Sequence, residues 1–243
     1  MKFRWKKCIW LFIYVIVLLT FIIVGVGGSQ IIAVMASHAP IENRVCLIID
    51  AGHGGEDGGT TSCTGVLEKK INLEISVRLR DLCHLLGIQT KMIRTEDTAL
   101  CTEGETIAQR KLSDLKNRVE IVNNTANAIL LSIHQNYYAD SEYWGAQMFY
   151  NKTEAGRNLA QMLQREFQNC FPGNHRKSKE ATGVYLMKHS TVPSVLIECG
   201  FLSNPEEESR LRDPQYQKMI CCLIVSTCSK YLYGSDGDLT RIN

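Results

Sequence analysis

The sequence predicts an α/β fold: a three-layer sandwich in which a largely parallel, mixed central sheet is flanked by helices. Three observations carry this. Short apolar runs alternate with amphipathic stretches over about 190 residues. Three of the runs end in a metal-ligand or acid–base residue, and no internal repeat or low-complexity tract interrupts the alternation.

In chain order, the domain opens at Val45. Leu47-Ile48-Ile49-Asp50 reads as a buried strand, and Gly52, Gly54 and Gly55 let the backbone turn sharply beside His53. Glu68 then opens a helix that carries Ile71, Ile75, Leu79, Leu82 and Leu86 at helical spacing, with Gly87 as its stop. Residues 88–93 form a second strand, 105–126 a second amphipathic helix, and 128–134 a third strand that ends in His134. Residues 145–150 are a fourth strand, 153–171 a third helix, 173–182 a polar basic loop, and 184–187 a short edge strand. The run from Pro193 to Gly200 is the last strand, and it carries Glu198 near its end. Asn204-Pro205-Glu206-Glu207 supplies an N-cap, a proline at the first helical position and acids in the first turn. Asp213-Pro214 repeats that start for a final helix running to about Tyr231.

Ahead of the domain, no charged side chain lies between Lys7 and Glu42, and residues 9–26 are almost continuously apolar. A span of ~20 apolar residues crosses a bilayer as a helix, and the basic residues before it keep the N-terminus inside. Val34-Met35-Ala36 offers the rival reading, a cleaved signal peptide. Residues 1–36 are therefore expected to be a signal or membrane anchor, 37–44 a linker, 45–233 the folded domain and 234–243 a frayed tail. Either way the domain is exported.

The net charge of +2 hides an asymmetry, because Lys2, Arg4, Lys6 and Lys7 precede any acid and the 25 acids slightly outnumber the bases in the rest. A body so nearly neutral lacks the basic face of a nucleic-acid binder. Of the ten cysteines, Cys8 sits at the apolar segment and nine follow. An odd number cannot all pair within one chain, and most fall on strand or helix positions where a free thiol behaves as a small hydrophobe. Cys63 and Cys101, in loop-like sequence, are the one pair to test for a disulfide.

The chemistry lies where the strands end. If the strands ending in His53, His134 and Glu198 are parallel neighbours, their carboxyl ends share one rim with the start of the Glu68 helix. Two histidines and a carboxylate with an open fourth position form a common catalytic zinc site, and the remaining carboxylate suits a base that activates water. Position favours Glu68 as the ligand and Glu198 as the base, because a carboxyl in an apolar strand end is desolvated and its pKa raised. Asp50 could orient His53 from behind or serve as a turn former, Asn136 could meet substrate or hold its loop, and Arg94 could meet substrate groups. Surface or salt-bridge roles are the simpler reading of Arg94, Arg118 and Lys188. His38, His84, His175 and His189 fall outside these motifs.

Four fragments, in order, carry a resemblance: Ile49-Asp50-Ala51-Gly52-His53-Gly54-Gly55 with Asp57 and Gly58; Glu68-Lys69-Lys70-Ile71-Asn72-Leu73; Ser132-Ile133-His134-Gln135-Asn136; and Val195-Leu196-Ile197-Glu198-Cys199-Gly200-Phe201-Leu202-Ser203-Asn204. Together they resemble the zinc-dependent N-acetylmuramoyl-L-alanine amidases of the amidase 3 type, from about Val45 to Tyr231. The resemblance implies that His53, Glu68 and His134 bind zinc (Zn2+) and that Glu198 is the catalytic carboxylate. It implies peptidoglycan as substrate, cut between N-acetylmuramic acid and L-alanine. A membrane-led domain with no wall-binding module is most similar to the germination-specific branch, which acts on spore cortex and supports muramic-δ-lactam formation. That branch implies a location outside the cytoplasm, in the wall or the spore intermembrane space, with an accessory lipoprotein and a muramic acid deacetylase as partners. An exported zinc peptidase or deacetylase, and a non-catalytic wall-binding module, are the competing readings.

Overall fold

The computed structural model of the chain describes residues 45–234, and the expected anchor, the linker up to Arg44 and the tail from residue 235 lie outside them. Among the described residues no helix is long and apolar enough to cross a membrane. The apolar runs become strands. They are β1 (Cys46–Ala51), β2 (Thr90–Met92), β3 (Ala128–Asn136), β4 (Gln147–Tyr150), β5 (Lys179–Glu180) and β6 (Ser194–Phe201). The helices are α1 (Glu68–Leu85), α2 (Ile107–Asn123), α3 (Glu154–Cys170), α4 (Tyr185–His189), α5 (Pro205–Leu211) and α6 (Pro214–Tyr233).

The sheet has the order β2-β1-β3-β6-β4-β5. All neighbours are parallel except β4 and β6, which run antiparallel, so the sheet is mixed as expected. Strands with helices on both faces must be apolar on both sides, which is why β1 is buried at every residue. Leu47 and Ile49 face a cluster with Ile71, Ile75 and Leu79 of α1, Leu163 of α3 and Ile224 of α6. Ile48 and Leu130 face the opposite side, with Val122 of α2 and Leu186 and Met187 of α4.

The helix starts follow the local chemistry. Thr106 and Gln109 form a capping box ahead of α2. Asn204 and Asp213 cap α5 and α6, each with proline at the start. Two expectations change. Residues 184–187 do not form an edge strand: Val184 precedes the short helix α4, which buries Leu186 and Met187 against the sheet. A four-residue apolar run satisfies either geometry, and packing decided for the helix. The edge strand beside β4 is Lys179–Glu180, exposed at both residues and inside the segment expected to be loop. The nine described cysteines are free thiols, with Cys46, Cys83, Cys199, Cys221 and Cys228 buried.

The topology settles where the rim lies. β1, β3 and β6 are adjacent and parallel, so their carboxyl ends come together, and β3 and β6 are in register with His134 opposite Glu198. Ligands gather at such an edge of open α/β sheets.

Candidate active site

Each site residue is delivered by a different strand or helix end. β1 stops at Ala51, and His53 follows with φ at 63°, a left-handed conformation uncommon outside glycine. Gly52 has to be glycine for a separate reason, since a Cβ there would lie 2.2 Å from His134 Nε2. Glu68 is the first residue of α1, is 3% exposed, and aims its carboxylate back at the rim. His134 is reached two residues before β3 ends.

Glu68 joins the two histidines. Its Oε2 lies 3.2 Å from His53 Nε2 and its Oε1 lies 3.0 Å from His134 Nδ1. The two imidazoles meet edge to face with centroids 4.9 Å apart. One ligand atom from each of His53, Glu68 and His134 falls within 4.8 Å of the others, a group that could hold a metal ion. The Glu68 carboxylate is aimed by three further donors: the Thr60 and Gln135 backbone N–H groups and the Asn72 side-chain amide one turn along α1. His53 donates from Nδ1 to Asp57 Oδ2 at 2.8 Å, which turns Nε2 toward Glu68 and His134.

Electrostatics shape the site for a positive charge. Burial opposes charge on His53, yet the Asp57 and Glu68 carboxylates outweigh it and pull the imidazole up to about 9. Burial likewise works against the Glu68 anion, and hydrogen bonds from the two histidines overcome it to hold this carboxyl far below its ordinary range.

Glu198 is the counterpoint. Its Oε2 is buried and finds no hydrogen-bond partner among the described residues. Burial foremost, then the negative charge of Glu68, pushes its pKa up to about 7 despite the nearby histidines. An acid poised there both accepts and returns a proton near neutral pH.

The remaining expected residues have other duties. Asp50 bonds to Arg118 and Ser132 rather than to the His53 ring. It is 1% exposed, receives Arg118 Nη1 at 2.5 Å and the Ser132 hydroxyl at 2.6 Å, and this pair fixes β1 to α2 and β3. Arg94 does not reach out to substrate either: it is 3% exposed and donates to the carbonyls of Ala51, Gly52, Lys69 and Glu96. Asn136 holds its loop, with Oδ1 accepting from the Tyr137 N–H. The side chains that hydrogen-bond to the ligand group without having been given a role from sequence are those of Asp57 and Asn72. Asp57 stands four residues after His53, and Asn72 stands four after Glu68 on the same helix face, so spacing was the available signal.

Known proteins bear on this arrangement. A family model described as N-acetylmuramoyl-L-alanine amidase matches residues 47–227, most of the chain. The chain belongs to that amidase family. Among its relatives is the germination-specific N-acetylmuramoyl-L-alanine amidase of Bacillus subtilis, 36% identical over 201 residues, which span 82% of this chain and 84% of that one. Among solved structures, the CwlD amidase from Clostridioides difficile, in complex with the GerS lipoprotein, superimposes with a TM-score of 0.75 at 39% identity over 78% of this chain and 98% of that one. An N-acetylmuramoyl-L-alanine amidase from Clostridium difficile 630 gives 0.69 at 30% identity, over 79% and 99%. All four fragments that carried the resemblance lie within the family match or at its start, on the sheet rim and the helix facing it.

Proposed function

We infer that this domain hydrolyses the amide between the lactyl group of N-acetylmuramic acid and the L-alanine of the peptidoglycan stem peptide, with His53, Glu68 and His134 holding zinc and Glu198 moving the proton. One observation carries the reading: on a chain of the amidase family, a two-histidine, one-carboxylate group converges beside a buried carboxyl oxygen that has no hydrogen-bond partner among the described residues. The donor set fits zinc, which takes imidazole and carboxylate ligands and keeps a position open for catalysis. A zinc ion bound there supplies Lewis acidity to a carbonyl and makes water easier to deprotonate.

The protein's own groups do the rest. Glu198 Oε2 takes a proton from the attacking water as the water oxygen bonds to the carbonyl carbon. It then gives that proton to the alanine nitrogen as the carbon–nitrogen bond breaks, leaving a free alanine amino terminus and a lactyl carboxylic acid that loses its remaining proton to solvent. Asp57 holds the His53 imidazole so that Nε2 faces the ligand group. The donors on Glu68 keep its carboxylate ionised and aimed.

The same reading extends to setting. Residues 1–36 serve as a signal or membrane anchor that carries the domain outside the cytoplasm, on the strength of their basic start and long apolar run. Spore cortex is the natural substrate, supported by the germination-specific relative. An accessory lipoprotein is the expected partner, supported by the neighbour solved with one, and a muramic acid deacetylase is the second partner that the family resemblance implies.

The test incubates the full chain in detergent with cortex and with vegetative peptidoglycan, with zinc supplied and with zinc chelated. Zinc-dependent alanine amino termini without new reducing sugar ends are expected. New reducing ends, or termini of another amino acid, would replace the amidase reading by a different hydrolase.

A further inference from the structure

The left-handed backbone at His53 is held by a device outside the ligand group. Two guanidinium groups converge on three successive carbonyls, those of Ala51, Gly52 and His53. Arg94, just after β2, donates from Nε to Ala51 O at 2.8 Å and from Nη2 to Gly52 O at 3.0 Å. Arg118, on α2, donates from Nη1 to Ala51 O at 3.1 Å and from Nη2 to His53 O at 2.8 Å. Both side chains are buried, at 3% and 2% exposure.

Each fork is anchored from behind. Asp114 on the same helix receives Arg118 Nε at 2.7 Å and Asp50 on β1 receives its Nη1, while Arg94 also ties in Lys69 O on α1 and Glu96 O. The β1 ladder ends at Ala51, so sheet hydrogen bonds do not set the carbonyl of His53. The guanidiniums take over that task at the point where the chain leaves the sheet. A planar fork can grip two acceptors at fixed angles, and an ammonium group cannot.

We propose that Arg118, with Arg94, is a positioning residue that aims the His53 imidazole at the metal by gripping the main chain on either side of Gly52. Nothing about charge alone requires this arrangement, since Asp50 and Asp114 would be balanced equally well by a lysine. The proposal rests on the metal reading above.

Its test is zinc affinity, measured on the full chain by competition with a chromophoric chelator. Arg118→Lys keeps the charge beside Asp50 and Asp114 and loses the grip on the His53 carbonyl. Val122→Ala, a core truncation on the same helix at 0% exposure, serves as the control for lost stability. Arg118→Lys should bind zinc at least about 10-fold more weakly, the range seen for groups that orient metal ligands, while Val122→Ala stays within about threefold at a comparable drop in Tm. Unchanged affinity in Arg118→Lys, or an equal loss in Val122→Ala, would overturn the proposal while wild-type binding keeps the metal reading intact. Absence of zinc binding by the wild type would instead overturn that reading. If Arg118→Lys does not fold, Arg94→Lys makes the same measurement through Gly52 and is judged by the same thresholds.

Discussion

The two ends of the site are built by opposite means. At the β1 end, His53 is held at every level: its ring by Asp57 and Glu68, its carbonyl by Arg118, and the two preceding carbonyls by Arg94 and Arg118. At the β6 end, Glu198 has Ile197 and Cys199 as buried neighbours and a carboxyl oxygen with no hydrogen-bond partner among the described residues. The difference follows from what each end is asked to do. A metal ligand needs one orientation, and a saturated hydrogen-bond network provides it. A proton carrier needs a pKa near the working pH, and desolvation without a strong partner provides that.

The largest expected effect on the ordered end comes from Glu68→Ala. It removes the carboxylate shared by both histidines and leaves them facing each other, so no stoichiometric zinc should remain after dialysis, read by atomic absorption. Retained zinc would show that the ligand group has been placed wrongly. Asp57→Asn is the milder change. It keeps a hydrogen-bonding atom beside His53 Nδ1 but loses the charge, and zinc affinity should fall about 10- to 100-fold with the fold intact.

A third and smaller effect separates the two ends by pH. In the metal-free protein the His53 pKa rises from 6.5 to about 9, so the stability it contributes is full below about 6.5 and is lost as pH climbs through about 9. That decline is on the order of 3 kcal/mol, and it should show as a falling Tm across this range. The Glu198 carboxyl, raised from 4.5 to about 7, already loses stability as pH rises from about 4.5 to 7, and Glu198→Gln should flatten that earlier slope alone. A decline above pH 7 that vanished in Glu198→Gln would mean the two ends had been assigned the wrong way round.

Much of this was legible in the sequence, for physical reasons. The β1, β3 and β6 runs are apolar on both faces, as parallel strands between helix layers must be, and their polar ends therefore stood out. The starts of α5 and α6 announced themselves through Asn204-Pro205 and Asp213-Pro214. Because three strand ends and one helix start share a rim in such a sheet, His53, Glu68, His134 and Glu198 could be brought together before any coordinates. The supporting network was not legible. Arg118 meets Asp50 across 68 residues and Arg94 meets Ala51 across 43, and backbone carbonyls leave no mark in a sequence. The buried scaffold that Asp50 and Arg94 build therefore had no signal in the sequence. At α4 the obstacle was shortness, since four apolar residues fit helix and strand alike.

The division of labour between the two ends is tested most directly by Glu198→Gln in the full chain, with bound zinc and new alanine termini on peptidoglycan measured in the same sample. Glutamine keeps the shape and cannot carry the proton. The variant should hold zinc as the wild type does and release alanine termini about 10²- to 10⁴-fold more slowly. Wild-type hydrolysis, or loss of zinc together with activity, would contradict the account.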